Sequence, residues 1–129
     1  MAKTEIKTDQ APAAVGAYSQ GIISNGLVFT AGQIALDPET GKLIEDDIEA
    51  QTHRAMQNLK AVVEAAGSSL SQLVKVTVFL ADINDFQAFN SIYSTYLPDD
   101  APKPARSAFQ VGKLPLGARI EIEAVATLD

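Results

Sequence analysis

The sequence predicts an α+β fold, a six-stranded mixed sheet with two helices on one face, in the order βββαβαββ. Three observations predict it. Apolar residues recur at helical spacing in two segments, apolar and polar residues alternate in several others, and an Asn-Gly pair separates two short apolar runs. Because two helices cover only one face of such a sheet, the other face is expected to pack against a second copy of the chain.

The first part of the chain predicts three strands. Residues 3–8 alternate in character and are typical of a short strand. Asn25 and Gly26 separate the apolar runs 22–24 and 27–29, and both residues tolerate positive φ. We therefore expect the second and third strands to pair as a hairpin.

Two segments have the period of an amphipathic helix. From Asp47 to Ala66 apolar residues recur every three or four positions, acidic residues stand at the start, and Gly67 follows where a helix would end. This segment predicts a helix of about five turns. A second helix, rich in aromatic residues, is predicted from about Asn84 to Leu97, immediately before a proline.

Alternation predicts three further strands in the second half of the chain. The fourth strand is expected to place four apolar side chains on one face: Val74, Val76, Val78 and Leu80. The fifth and sixth strands contain Arg106 and Glu121, each a charged residue inside an otherwise apolar run. Alternation leaves open whether Arg106 or its neighbours on the fifth strand face the helices.

Length and composition exclude several classes of protein. The chain is expected to form a single domain over residues 1–129, and it has no apolar run of the ~18 residues that a membrane helix needs. Its first residues lack the apolar core of a signal peptide, so a cytoplasmic protein is expected. The absence of cysteine excludes disulfides and thiol catalysis, and the single histidine, His53, expected at the solvated surface, disfavours a Cys/His zinc site. A net charge of −6 opposes a nucleic-acid surface.

The two charged residues in strands have a chemical and a structural interpretation. A guanidinium such as that of Arg106 suits a planar carboxylate ligand, but an arginine on an edge strand is more often part of a structural ion pair. Glu121 in apolar surroundings suits a base that handles water, but it could also be a solvated residue like Glu123, two positions on. Spacing alone does not separate these interpretations.

Three pieces of the sequence together indicate a family. They are Gly16-Ala17-Tyr18-Ser19-Gln20-Gly21, Phe29-Thr30-Ala31-Gly32-Gln33-Ile34, and the stretch from Pro104-Ala105-Arg106-Ser107 to Ile120-Glu121-Ile122. In their order and spacing they resemble the Rid (YjgF) family of reactive-imine deaminases over essentially the whole chain. The resemblance implies a chorismate-mutase-like fold and a homotrimer whose three sheets form a central barrel, with ligand clefts between subunits.

The resemblance also implies roles for individual residues. Arg106 would bind the substrate carboxylate, and Glu121 would orient and partly deprotonate the attacking water. Tyr18 would form a wall of the cleft or donate a hydrogen bond, and the backbone at Gly32 would approach the ligand. Asn90, on the second helix, matches a ligand-proximal asparagine of the family.

The implied activity is hydrolysis of short 2-imino acids, 2-iminobutanoate and 2-iminopropanoate, to 2-keto acids and ammonia, protecting pyridoxal-phosphate enzymes from such species. Water is the only co-reactant, and no metal or organic cofactor is implied. Two alternatives stay open: an endoribonuclease or translation inhibitor, which the acidic composition disfavours, and a non-catalytic sensor of keto acids that needs Arg106 but not Glu121.

The chain departs from the family pattern at two places. Ala108 stands where many members have cysteine, two residues after the motif arginine, and Ala31 stands where many have serine. The first departure excludes thiol-dependent behaviour while leaving the backbone groups that the family uses at that position. The second is expected to alter the polarity of the pocket.

Overall fold

The structure, a computed structural model, describes residues 2–129. Its six strands form one sheet: β1 (Thr4–Ile6), β2 (Gly21–Ser24), β3 (Leu27–Thr30), β4 (Leu73–Leu80), β5 (Ala105–Gln110) and β6 (Ile120–Thr127). Two helices, α1 (Ile48–Ala65) and α2 (Phe86–Thr95), complete the fold. The strand order is β1-β2-β3-β6-β4-β5, with β4 and β5 parallel and the other neighbours antiparallel. The predicted α+β class with a mixed sheet is confirmed.

The predicted hairpin and the long helix follow the local signals. Asn25 and Gly26 adopt φ values of 54° and 74° between β2 and β3, the left-handed conformation that a two-residue turn requires. Helix α1 begins after Asp47, whose side chain accepts a hydrogen bond of 2.8 Å from the backbone N–H of Ala50. Past its end, Gly67 has φ 91°.

Two elements are shorter than predicted because local hydrogen bonds compete with them. The backbone N–H of Thr8 donates to the Gln20 side chain at 2.8 Å instead of to a neighbouring strand, so β1 ends at Ile6. Before α2, the Asp82 side chain accepts from the N–H of Asn84 at 2.9 Å and begins a separate 3-10 turn over Ile83–Asp85.

The expectation for Val74 was wrong. A bulge between Leu73 and Lys75 shifts the alternation of β4 by one residue, so Leu73 is buried while Val74 is 44% exposed. Beyond the bulge, Val76 and the following alternate residues face the core as predicted. The sequence alone does not mark the bulge, because valine is equally favourable on either side of a strand.

The helices cover one face of the sheet, and the core lies between them and it. Buried side chains on this face come from the middle strands and both helices, among them Val28, Met56, Leu59, Val76, Val78, Phe89, Ile120 and Ile122. The parallel register pairs Val76 with Arg106 and Val78 with Ala108. Arg106 and Ala108 therefore lie on the helix side, which settles the alternative that alternation left open.

The opposite face of the sheet, called the open face below, carries aromatic residues. Phe29 and Phe109 are 42% and 44% exposed there, and the ring of Phe109 meets that of Phe79 edge to face at 5.4 Å. Ser107 lies on the same face, as does Glu121, which is in register with Phe79. Among residues 2–129, no helix is long and apolar enough to cross a membrane.

Candidate active site

Arg106 lies on the edge strand β5 against the aromatic side of α2. Its guanidinium stands over three rings, at 5.2 Å from Phe86, 6.0 Å from Phe89 and 5.0 Å from Tyr93. Its Nη1 donates to Asn90 Oδ1 at 2.6 Å. These contacts fix the plane of the guanidinium, so two of the predicted site residues, Arg106 and Asn90, are in direct contact.

The guanidinium of Arg106 has no acidic partner in the described part of the chain. The salt bridges there belong to Lys103 and Arg119. Arg119 instead forms the structural ion pair that Arg106 was weighed against, to Asp46 at 2.6 Å and Asp85 at 3.3 Å. A cavity of about 350 Å³ adjoins the Arg106 side chain, lined by Asn90, Tyr93, Ser94, Leu97, Lys103 and Pro104. An anion entering this cavity would meet an arginine whose orientation is already set.

Burial and the charge of Arg106 both affect the pKa of the Tyr93 hydroxyl. Burial raises the pKa of its hydroxyl above the ordinary value of 10.0, and the neighbouring charge of Arg106 acts in the opposite direction. The tyrosine is therefore a neutral hydroxyl beside the guanidinium at physiological pH.

Glu121 is a half-buried carboxylate on the open face of β6. Burial raises the pKa of its carboxyl above the ordinary value of 4.5, and repulsion by Glu123 raises it further. Glu123 itself is exposed. The two glutamates that spacing could not distinguish thus differ in burial, and burial increases the proton affinity of Glu121.

Gly32 lies directly against Glu121. The backbones of Gln33 and Ile122 exchange two hydrogen bonds, of 2.8 and 3.0 Å, which bring the segment after β3 alongside β6. A Cβ atom on Gly32 would overlap the Glu121 carboxylate, with the carboxyl carbon at 2.8 Å. Glycine at this position therefore leaves the space that the Glu121 carboxylate occupies.

A cavity of about 300 Å³ opens beside the Glu121 carboxylate. Tyr18 and Gly32 line it, and Tyr18 accepts a hydrogen bond of 3.4 Å from the backbone N–H of Val15. The remaining wall is mostly apolar: Pro12, Ala13, Val15, Ile34, Leu36, Pro115 and Leu116. Three of the predicted site residues are therefore brought together around one apolar cavity. Ala31 lines a different groove with Phe29 and Thr30, and Glu121 is not part of the lining of that groove.

Two residues of this cavity carried no assigned role. Gln20, only 4% exposed, donates to the carbonyls of Thr8 and Pro12 at 2.9 and 2.8 Å and accepts from the N–H of Thr8. It holds the loop that carries Tyr18, and its signal was its place in the first motif. Leu116 has φ 59° and lies at the cavity mouth, and nothing in its residue type indicates that conformation.

The two halves of the candidate site lie on opposite faces of the sheet. Arg106 and Asn90 are on the helix side, and Glu121 is on the open face with Gly32 and Tyr18 beside it. A single chain therefore does not bring the guanidinium and the carboxylate together. His53 is exposed and lies 2.8 Å from the Tyr96 hydroxyl through Nδ1. Within residues 2–129 no group of three or more potential metal ligands is present.

A family model described as endoribonuclease L-PSP matches residues 8–128 of the chain. The chain belongs to this family, that of the Rid, YjgF and RutC proteins. Reactive Intermediate Deaminase A of Arabidopsis thaliana is 48% identical over 98% of this chain, which spans 66% of that protein's length. The 2-iminobutanoate/2-iminopropanoate deaminase of Salmonella typhimurium is 46% identical over 98% of both chains.

Solved structures of the family share the same fold. TdcF of E. coli, crystallised with bound serine, superimposes with a TM-score of 0.89 at 40% identity, covering 96% of this chain and 98% of TdcF. The molecule bound to TdcF is thus a small amino acid. The arrangement of strands and helices described above is thus that of the family.

Proposed function

We propose that this chain hydrolyses short 2-imino acids to the corresponding 2-keto acids, with 2-iminobutanoate and 2-iminopropanoate as substrates. The observation that carries the proposal is the Glu121 carboxylate, half-buried beside an apolar cavity with a raised pKa. Such a carboxylate is a stronger base toward water than a solvated glutamate. The deaminase names of relatives that cover nearly the whole chain support the same activity.

The complete site, in this proposal, forms between two copies within a homotrimer. Arg106 stands on an edge strand, where its cavity opens to the outside of the chain, and the open face that holds Glu121 exposes aromatic rings. Packing that face against another copy would bury those rings and set one copy's Arg106 opposite the other's Glu121. The substrate carboxylate would then bind the guanidinium through two parallel hydrogen bonds.

The proposed reaction is R–C(=NH2+)–COO− + H2O → R–CO–COO− + NH4+. Glu121 accepts a proton from water as the water oxygen bonds to the imine carbon, and the C=N π electrons move to nitrogen. Glu121 then gives this proton to the amino nitrogen. The C–N bond breaks as the C=O bond forms, and the hydroxyl proton leaves with ammonia as ammonium. The imine carbon is already electrophilic, so these residues contribute mainly by positioning the reactants.

The other site residues have supporting roles in this scheme. Asn90 and the rings of α2 hold the guanidinium plane before the substrate arrives. Gly32 leaves room for the Glu121 side chain, and Tyr18 closes the cavity from the loop. Protection of pyridoxal-phosphate enzymes belongs to the same proposal, because free imines are reactive products of amino-acid chemistry. A cytoplasmic location is proposed with it.

Substitutions at the two charged residues test the proposal, with imines generated in situ by oxidation of amino acids. Arg106→Ala is expected to abolish both keto-acid binding and turnover, since a bidentate charge-assisted contact contributes about 3 kcal/mol. Arg106→Lys keeps the charge without the planar fork and should rescue little. Glu121→Gln should lower turnover by about 10²-fold or more while keto-acid binding is largely kept.

Two matched controls sharpen this experiment. Glu123→Gln changes the exposed glutamate on the same face, and Arg54→Ala removes an arginine that also bonds an asparagine, Asn58, at 3.1 Å. Both should retain turnover within a few-fold. Full turnover by Glu121→Gln, or wild-type keto-acid affinity in Arg106→Ala, would refute the assigned roles. Keto-acid binding by a wild-type protein that releases no ammonia would favour the sensor.

The family description keeps an endoribonuclease as the second candidate. The net charge of −6 per chain opposes RNA binding, and this field grows with each added copy. RNA cleavage that co-purifies with the protein and disappears in Arg106→Ala or Glu121→Gln would reverse the ranking. Cleavage that persists in both variants would indicate a contaminant.

A further inference from the structure

Leu116 combines an unfavourable backbone with an exposed apolar side chain. It follows Pro115 in the turn before β6 with φ 59° and ψ 17°, a left-handed conformation that glycine and asparagine adopt more readily than leucine. Its side chain is 71% exposed. Neither feature stabilises the folded chain, because the backbone is strained and the isobutyl group is not buried.

Leu116 lies at the rim of the cavity beside Glu121. Leu116 and Val15, itself 81% exposed, stand at the mouth of the cavity that contains the Glu121 carboxylate. Ile34 and Leu36 line the same cavity. A molecule held above Glu121 would therefore meet apolar side chains. A strained residue at the rim of a site is the setting in which strain is linked to function.

We infer that Leu116 is a specificity-determining residue, which selects 2-imino acids with apolar side chains. The inference rests on the proposed function. The substrate carboxylate is held by Arg106 and the imine carbon lies at Glu121, so the substituent R occupies the remaining, apolar part of the cavity. There it contacts Leu116 and Val15. A polar substituent would lose hydration without gaining hydrogen bonds, and an anionic one would be repelled by Glu121.

The test compares substrates rather than total activity. The imines of alanine, 2-aminobutyrate, norvaline, leucine and glutamate are generated in situ, and kcat/KM is measured for each with the wild-type protein and two variants. Leu116→Gly relieves the strained φ and removes the side chain. Leu116→Asn keeps a similar size and tolerates the same φ, but is polar. Both are expected to fold at least as stably as the wild type in urea.

The expected result is a change in selectivity. In both variants the kcat/KM ratio of the leucine imine to the alanine imine should fall by about 10-fold or more, because each lost methylene contact in a pocket changes discrimination by about that factor. Wild-type protein should discriminate strongly against the glutamate imine. Ile83→Ala, at a 45% exposed apolar residue outside the cavity, should leave the ratio unchanged.

The experiment distinguishes failure of the role of Leu116 from failure of the proposed deaminase activity. An equal change for all imines, or an unchanged ratio in the Leu116 variants while the wild type turns over the series, overturns the role of Leu116 and leaves the deaminase intact. Absence of turnover for every imine, together with no binding of the matching 2-keto acids by calorimetry, overturns the deaminase and this inference with it.

Discussion

At the scale of single residues, the two strand charges have opposite environments. Arg106 is held by aromatic faces and one asparagine, without a carboxylate in the described chain, whereas Glu121 is surrounded by apolar groups and a second acid. The cation is thus left able to bind an anion, and the carboxylate is left with an increased affinity for a proton. Each departs from the arrangement that would best stabilise a fold.

The raised pKa of Glu121 makes a prediction about stability. The folded state holds the proton more tightly than the unfolded state, so stability is lost as pH rises through the folded pKa. Glu121→Gln removes this loss and should raise the urea midpoint at pH 7.5. At pH 4, below the ordinary value of 4.5, the difference should shrink.

The matched variant is Glu123→Gln, which removes the repulsion but not the burial. It should lower the pKa of Glu121 and shift the acid limb of the pH–rate profile to lower pH. A Glu121→Gln protein that is less stable at pH 7.5, or equally more stable at both pH values, would contradict the assigned environment.

At the scale of elements, the loop before β2 is held by one buried side chain. The Gln20 side chain forms hydrogen bonds with the backbones of Thr8 and Pro12, which have no neighbouring strand to bond to. These bonds fix the segment that carries Tyr18. All of its polar atoms are satisfied in the described residues. The loop therefore forms a wall of the Glu121 cavity that is held in place by hydrogen bonds.

Gln20→Leu tests this role of the loop. The leucine fills similar space but leaves the groups of Thr8 and Pro12 without partners, so the free energy of unfolding should fall by about 1–3 kcal/mol. Proteolysis within residues 8–16 should accelerate, and KM should rise more than kcat falls. Gln87→Leu, at an exposed position on α2, is the control. Unchanged proteolysis would show that the loop is held by other contacts.

An element or a site residue can be predicted from the sequence when the interactions that determine it are between neighbouring residues. The hairpin at Asn25 and the start of α1 at Asp47 depend on neighbouring residues, so the sequence predicts them. The bulge at Val74 depends on pairing with β6, a partner distant in the chain, and nothing in the residue type of Leu116 indicates its left-handed conformation. The motifs identified the residues that lie together in each half of the site, but not the face of the sheet on which each half lies. Whether Arg106 or its neighbours on β5 face the helices is set by how α2 packs against the sheet.

At the scale of the whole molecule, the sheet separates the two charges that the proposed reaction uses. The guanidinium lies on the helix side of an edge strand and the carboxylate on the open face, two strands away. Only assembly can join them. In the proposed chemistry, assembly into the homotrimer is therefore as necessary as either residue.

Mixing of subunits tests this requirement. Sedimentation equilibrium should return about three times the chain mass of 13.7 kDa. Arg106→Ala and Glu121→Gln, each nearly inactive alone, are unfolded together in equal amounts and refolded. In the proposed assembly each cleft takes its arginine from one copy and its glutamate from the next, so about a quarter of the clefts should be intact and active.

The separately refolded variants, combined without exchange, are the control and should stay inactive. If both residues acted within one chain, every chain in the mixture would carry a defect and no activity would return. A monomer at micromolar concentration would equally contradict the composite site.

The contact between Gly32 and Glu121 has a consequence for how this sequence can vary. The two positions are 89 residues apart, yet a Cβ at one occupies the space of the carboxylate at the other. A substitution at position 32 requires the Glu121 side chain to move aside or to be shortened, and either change takes the proposed base out of its place beside the cavity. The effect of a substitution at position 32 is therefore expected to depend on the residue at position 121. In a relative that binds ligands without catalysis, the constraint that favours glycine at position 32 would be lost together with the glutamate.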